Sequence, residues 1–155
     1  MKYFEDIELN QVIKSDPYPI EKEEVVEFAS QWDPQPFHTC EEEAAKWPLG
    51  LTASGLHTFA ISIRAFSVNK GIEDHPAAVA GFGWDEVRMP HPVRPGDTLV
   101  VHAYVGSKRE SNSKPDLGII TTHFEVYNQH QQIVMSYRSS SLVLKRPSAE
   151  PAKDE

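Results

Sequence analysis

The hydrophobic pattern changes from helical spacing in the first half of the chain to alternation in the second half. Residues 20–31 carry apolar side chains on one side and glutamates on the other, which predicts an amphipathic helix. Residues 52–70 predict the longest helix, and Gly71 closes it. The positions at three- and four-residue spacing in that helix are Leu56, Phe59, Ala60, Ile63, Phe66 and Ser67. Its other faces are also largely apolar, which is typical of a helix wrapped by a sheet.

The second half of the chain predicts a run of strands. The predicted strands are 78–88, 97–108, 118–127 and 133–144, and the turn 128–131 joins the last two into a hairpin. We expect an extended lead-in at 3–14, a short helix at 39–46, an exposed loop at 110–116 and a disordered tail at 147–155. One long helix beside a β-rich half predicts a single α+β domain over residues 1–146.

The segment Trp32-Asp33-Pro34-Gln35-Pro36-Phe37-His38 carries the most specific chemistry. Two prolines restrict the backbone, so we expect a rigid loop that holds a carboxylate and an imidazole five residues apart. An acid and a histidine in fixed geometry are suited to activating water. In the simpler alternative, Asp33 only ends or caps a helix and His38 is an ordinary loop histidine.

The start of the long helix offers a second candidate. Ser54 and Gly55 stand at its beginning, where free N–H groups and the helix dipole favour a developing negative charge on a carbonyl oxygen. The simpler interpretation is an N-cap serine followed by a glycine needed for close packing. His57, one turn into this apolar helix, is interpreted as a packing residue rather than a substrate contact.

These features occur in an order that resembles the MaoC-like dehydratases, the (R)-specific enoyl-CoA hydratase family of the hotdog fold. The segment Phe28–His38 corresponds to the family's hydratase signature, and Asp33, Pro36 and His38 stand at its catalytic Asp, its Pro and its catalytic His. Trp32 replaces the usual Gly, Gln35 the usual Asn, and Phe37 a smaller aliphatic residue.

The resemblance continues through Ser54-Gly55 and through the segment 92–99, Pro-Val-Arg-Pro-Gly-Asp-Thr-Leu, which is similar to the family's turn into a strand. It covers about residues 5 to 145. It implies a single hotdog fold, in which an antiparallel sheet wraps around a long central helix.

The resemblance further implies reversible hydration of a trans-2-enoyl thioester. Asp33 would be the base, His38 would hold the water, and the Gly55 N–H would form the oxyanion hole. The candidates for binding the acyl-CoA substrate are Ser54, Gln35, Phe37, Arg64 and Arg94. For the phosphates of coenzyme A, Arg88, Lys108 and Arg109 are further candidates beside Arg64 and Arg94, although each is more simply interpreted as a solvated surface charge.

Two other functions remain open. Hotdog thioesterases typically place a carboxylate on the central helix, whereas residues 52–70 contain none. A catalytically weak or inactive acyl-CoA-binding protein is the second alternative, because Trp32 and Gln35 depart from the signature. The extra methylene of Gln35 relative to Asn can misplace the catalytic pair in a stiff loop.

Composition limits the classes of partner and cofactor that we expect this chain to bind. The net charge of −8 argues against nucleic acid and anionic membranes. The histidines are scattered, and Gly81-Phe82-Gly83 lacks the rest of a dinucleotide fingerprint and predicts a bulge or close packing. We therefore expect no metal and no cofactor.

The single cysteine, Cys40, excludes an internal disulfide and is interpreted as inert. With no apolar signal stretch at the N-terminus and no span of about 18 apolar residues, the sequence predicts a cytoplasmic protein. Unpaired sheet edges predict a homodimer or a higher homo-oligomer, which would bury the apolar strands 97–105 and 133–144.

Overall fold

The computed structural model describes residues 1–68 and 75–147. The helices are α1 (Lys22–Trp32), α2 (Pro36–Thr39), α3 (Glu41–Ala44) and α4 (Gly55–Val68). The strands are β1 (Ile13–Lys14), β2 (Tyr18–Pro19), β3 (Ala78–Arg88), β4 (Thr98–Glu110), β5 (Leu117–Tyr127) and β6 (Ile133–Leu144). The expected α+β arrangement, an antiparallel sheet against one long helix, is confirmed.

The main path of the sheet runs in the order β1-β4-β5-β6-β3, and β2 also pairs with β4. All the strand pairs are antiparallel. The strand β3 therefore lies at one edge, where it pairs only with β6 among the described strands. Its ladder shifts register between Gly81 and Gly83, so the predicted bulge is confirmed.

The strands β4 and β6 are interior strands, which corrects the expectation that they supply an oligomer surface. The strand β6 pairs with β5 and β3, whereas β4 pairs with β5 on one edge and with the two-residue strands β1 and β2 on part of the other. Several of their apolar side chains, among them Leu99 and Met135, are fully buried within this chain. The most exposed large apolar side chains of the sheet are instead on β3, where Phe82 is 61% and Trp84 is 55% exposed.

The core lies between α4 and the sheet. The side chains of α4 that are buried are His57, Thr58, Ile61, Ser62 and Ala65. This buried face differs from the one that the apolar spacing predicts, because Leu56 and Ile63 are exposed. Small hydroxyl residues can face the sheet because they find partners there: the Ser62 hydroxyl lies 3.0 Å from the Tyr137 hydroxyl of β6.

The predicted boundaries are confirmed for the strands 78–88 and 133–144. The long helix begins at Gly55 rather than at residue 52, because the N–H groups of Thr52 and Ala53 donate to the carbonyls of Phe37 and Val93 outside the helix. The predicted closure at Gly71 and the predicted tail from 148 onward lie outside the described residues.

The lead-in at 3–14 is only partly extended. Residues Phe4–Asp6 form a 3-10 turn, because the Asp6 carboxylate accepts a 3.0 Å hydrogen bond from the Tyr3 N–H and closes it. The turn places Phe4 in a small apolar cluster beside the sheet.

Candidate active site

Asp33 stands immediately after α1. Its N–H donates to the Ala29 carbonyl at 2.9 Å and completes the last turn of the helix. Pro34 disfavours helical geometry for the residue before it, and Asp33 accordingly leaves the helix with φ −154° and ψ 70°. The side chain projects from the end of a helix rather than from a free loop.

His38 lies on α2, which corrects the expected loop over 33–38. Only residues 33–35 are irregular, and Pro36 occupies the first position of a one-turn helix, where a missing N–H costs nothing. The Nδ1 atom of His38 lies 2.6 Å from the Thr52 carbonyl oxygen. Because a carbonyl only accepts, we assign the proton of the neutral ring to Nδ1, which leaves Nε2 as an acceptor.

The two side chains converge as the five-residue spacing predicts. His38 Nε2 lies 3.7 Å from Asp33 Oδ2, and the side chains are 11% and 28% exposed, respectively. Ser54 Oγ donates a 2.6 Å hydrogen bond to the same carboxylate oxygen. The pair therefore presents two acceptor atoms to one small space, and a hydroxyl of Ser54 fixes the carboxylate.

The first turn of α4 lies beside this pair. The Ser54 hydroxyl accepts a hydrogen bond from the Leu56 N–H at 3.2 Å, so Ser54 caps the helix as well as holding Asp33. Gly55 is the first residue of α4, and the N–H groups of a first helical turn have no acceptor within the helix. A Cβ atom at position 55 would lie 2.4 Å from Met89 Sδ, so Met89 covers the glycine.

A largely apolar cavity of about 610 Å³ opens at His38 and Gly55. Phe37 forms part of its wall and packs edge-on against Trp47 with ring centroids 5.3 Å apart. Among the described residues, no Lys, Arg, Asp or Glu lines the cavity. Such a cavity suits an uncharged chain whose reactive end reaches the histidine and the helix start.

Arg94, Arg64 and Gln35, which were also predicted to contact the substrate, are not in the lining of this cavity. Arg94 lies in an adjoining cleft of about 400 Å³ that shares Leu49 and Gly50 with the main cavity, and its Nε donates to the Leu49 carbonyl at 3.3 Å. Arg64 lies in a different cleft, between α1 and α4. Gln35 is exposed and does not line the main cavity.

The other basic candidates lie away from the main cavity. Lys108 Nζ donates to the carbonyls of Phe4 and Ile7 at 3.1 and 2.8 Å, which ties the N-terminal segment to β4. Arg88 and Arg109 are exposed, and each donates to a neighbouring backbone carbonyl.

Three groups that shape the site were not predicted from the sequence. The Thr52 carbonyl sets the His38 tautomer, but a backbone partner has no signature in a sequence. Trp47 and Met89 form walls of the cavity from distant segments. The only signal for Met89 was its place in a Pro-rich stretch directly after a predicted strand.

Within the described residues, no helix combines the length and the apolar character that crossing a bilayer requires. Nor does the described part of the chain bring three His, Cys, Asp or Glu side chains close enough together to bind a metal ion.

Comparison with known proteins identifies the family and the fold of this chain. Residues 6–127 match the sequence model of the MaoC like domain, so the chain belongs to that family. Its single sheet-and-helix unit is a hotdog fold. The crystal structure of the MaoC-like dehydratase from Rhodospirillum rubrum is 34% identical, with a TM-score of 0.86 over 96% of this chain and 100% of that chain.

Two named relatives match this chain over different lengths. The uncharacterized protein YdeM of Bacillus subtilis is 30% identical over 140 residues, which are 90% of this chain and 96% of that protein. The mesaconyl-CoA hydratase of Cereibacter sphaeroides is 39% identical over 75 residues, which are 48% of this chain and 22% of that protein. The family membership indicates a hydratase or dehydratase.

Proposed function

We propose that this protein is an (R)-specific enoyl-CoA hydratase that adds water reversibly to a trans-2-enoyl thioester. The observation that carries the proposal is the 3.7 Å separation of His38 Nε2 and Asp33 Oδ2 beside the first turn of α4. A water molecule has two O–H groups, and these two atoms are both acceptors when the acid is ionised and the ring is neutral.

In the forward reaction, the water held by the pair attacks C3 of the enoyl group. Asp33 takes a proton from that water as the C–O bond forms, and the electrons of the double bond move toward the thioester carbonyl. His38 orients the water through Nε2. The proton that Asp33 has taken then passes through His38 Nε2 to C2, so that Asp33 ends ionised, His38 ends neutral and the addition is complete without net gain or loss of protons. The 2.6 Å bond from Ser54 keeps the Asp33 carboxylate in place for this step.

The Gly55 N–H stabilises the oxygen of the enolate-like intermediate. It stands at the positive end of the α4 dipole, where a developing negative charge is favoured. Met89 covers this position and limits the access of solvent water to it.

The acyl chain occupies the apolar cavity, with Phe37 in its wall. Arg94, in the adjoining cleft that also contains Lys22, is the candidate contact for the phosphates of coenzyme A. Arg64 is the alternative contact, and Gln35 would touch only the exposed part of the substrate.

The inactive acyl-CoA-binding alternative depends on the departures at Trp32 and Gln35. Both side chains are exposed, and Asp33 and His38 converge in their presence. The convergence of Asp33 and His38 supports an active hydratase over the inactive binding protein. For thioester hydrolysis, no carboxylate is present along α4 (Gly55–Val68), which supports hydration over the thioesterase alternative.

We also propose that two copies pair through the edge of β3 that no other described strand covers. The exposed side chains Val79 and Phe82 lie on this strand, and an unpaired edge is a site that proteins usually cover. A second copy would close the cavity mouth near Met89, which follows β3 directly.

Steady-state kinetics with trans-2-enoyl-CoA thioesters tests the function. We expect loss of the conjugated enoyl absorbance with the wild type, and dehydration in reverse of the (R)- but not the (S)-3-hydroxyacyl-CoA. Asp33→Asn and His38→Gln should each lower kcat/KM on the order of 100-fold or more while the fold persists. Wild-type rates in either variant would remove that residue from the mechanism.

A further inference from the structure

His57 connects α4 to α1 at two points. Its side chain is 3% exposed, and its ring stacks on Phe28 with centroids 4.5 Å apart and an interplanar angle of 12°. Its Nε2 atom lies 3.3 Å from Glu24 Oε1. Phe28 and Glu24 are one turn apart on α1, so a single side chain from the first turn of α4 holds two successive turns of the neighbouring helix.

Glu24 is also held from a second direction. The Tyr18 hydroxyl donates to Glu24 Oε1 at 2.8 Å. Burial, together with this hydrogen bond, raises the pKa of Tyr18, so the phenol remains a donor. His57 Nδ1 is buried and has no hydrogen-bond partner among the described residues. The proton of the neutral ring therefore belongs on Nε2, where the ionised Glu24 accepts it.

Direct packing between the two helices is incomplete on their outer side. A cleft of about 280 Å³ lies between them there, lined by Trp32 of α1 and by Ala60 and Arg64 of α4. His57 lies in this cleft and spans it. Without that side chain, the cleft would widen toward the core and α1 would lose its polar attachment to α4.

The relative position of these helices determines the geometry of the acid. Asp33 directly follows the last residue of α1, and Ser54 directly precedes the first residue of α4. The 2.6 Å bond between their side chains therefore measures how the two helices are aligned. A displacement of about 1 Å at a catalytic group is enough to lower a rate on the order of 100-fold.

We propose that His57 is a positioning residue: through Glu24 and Phe28 it aligns α1 with α4 and so holds Asp33 at its working distance from Ser54 and His38. The catalytic part of this inference rests on the proposed hydratase function, whereas its structural part does not.

Substitutions that separate stacking from hydrogen bonding test the inference, with rates expressed per folded site. His57→Ala removes both contacts and should lower kcat on the order of 100-fold with KM within about threefold, since the binding cavity is untouched. His57→Phe keeps the stacked ring and should lose about tenfold. It also provides a folded variant if His57→Ala fails to fold, and wild-type kcat in His57→Phe would overturn the role of the hydrogen bond.

The glutamate supplies the conservative rescue and the control. Glu24→Gln keeps an oxygen acceptor for His57 and Tyr18 and should remain within about threefold of the wild type, whereas Glu24→Ala should lose about tenfold in kcat. Glu23→Gln makes the same charge change at an exposed position of α1 that does not line this cleft, and it should be neutral. Equal losses in Glu24→Gln and Glu24→Ala would overturn the inference.

Crystal structures of the wild type and His57→Ala give a readout that needs no activity. We expect the Asp33 Oδ2–Ser54 Oγ distance to be 2.6 Å in the wild type and longer by about 1 Å in the variant. An unchanged distance overturns the positioning role. A lengthened distance in a protein with no hydratase activity leaves the structural role standing and overturns the proposed function instead.

Discussion

The hydroxyl of Ser54 donates a 2.6 Å hydrogen bond to Oδ2 of Asp33, which joins the start of the central helix to the end of α1. The same oxygen of Ser54 accepts the Leu56 N–H, so one side chain both caps α4 and holds the candidate base. Helix capping and the alignment of the acid are therefore coupled at one atom.

Replacing this hydroxyl should affect stability and activity together. Ser54→Ala loses the cap and the bond to the carboxylate, so we expect a loss of about 1 to 3 kcal/mol in the free energy of unfolding. We also expect kcat to fall on the order of tenfold or more, because Asp33 is released. Ser30→Ala is the control, since the exposed Ser30 hydroxyl donates to the Val26 carbonyl within α1 and, among the described residues, does not hydrogen-bond to Asp33. Equal kcat values for both variants and the wild type would contradict the coupling.

Gly55 should be required because of its neighbour and not because of its backbone conformation. In Gly55→Ala the new Cβ would lie 2.4 Å from Met89 Sδ, so the thioether must shift, which changes the shape of the cavity that both residues line. We expect kcat/KM to fall by about tenfold with little change in Tm, since alanine is at least as favourable in a helix. The double variant with Met89→Ala should recover most of the loss, and a double variant as impaired as Gly55→Ala would contradict this explanation.

The edge strand should determine the oligomeric state. We expect sedimentation of the wild type at micromolar concentration to show a dimer or a higher oligomer. Phe82→Glu should shift it to monomer, because a carboxylate on the shared edge would be buried without a partner. Val12→Glu changes a similarly exposed apolar residue away from β3 and should leave the assembly intact. A wild type that is a stable monomer would contradict the pairing and would leave the cavity without its second wall.

Tyr137 should make the protein lose stability at high pH. Burial raises its pKa from 10.0 to about 12, although the bond to Ser62 acts in the opposite direction. The folded state thus keeps a proton that the unfolded state releases, so the stabilisation is complete below about pH 10 and is lost as the pH rises to about 12.

The free energy of unfolding should fall by about 2 to 3 kcal/mol over this range, because the pKa of Tyr137 rises from 10.0 to about 12 on folding. Tyr137→Phe has no ionisable group at this position, so its free energy of unfolding should decline less than that of the wild type over the same range. Denaturant unfolding at several pH values measures the difference, and parallel curves for the two proteins would rule out Tyr137 as its source.

The sequence predicted the parts of the site that are close together along the chain. The stiff segment from Asp33 to His38 brings its two side chains to 3.7 Å. Its secondary structure was harder to predict, since Pro36 is compatible with either a loop or the first position of a helix, and the structure adopts the helix.

The parts that depend on distant segments could not be predicted. The buried face of α4 includes Ser62 because Tyr137, 75 residues away, offers a hydroxyl to it. Met89 reaches Gly55 only because the sheet returns to the start of the helix. Periodicity describes one element at a time, so partners that a sheet brings together leave no mark in it.

The fate of a trans-2-enoyl-CoA in water labelled with heavy oxygen tests the central claim most directly. Mass spectrometry should find an intact thioester that carries the label in a new C3 hydroxyl group, formed by the wild type and not by Asp33→Asn. Release of free coenzyme A with label in the carboxylic acid would indicate hydrolysis, and unreacted substrate that remains bound would indicate a binding protein. Either result would contradict the assignment of Asp33 and His38 to hydration.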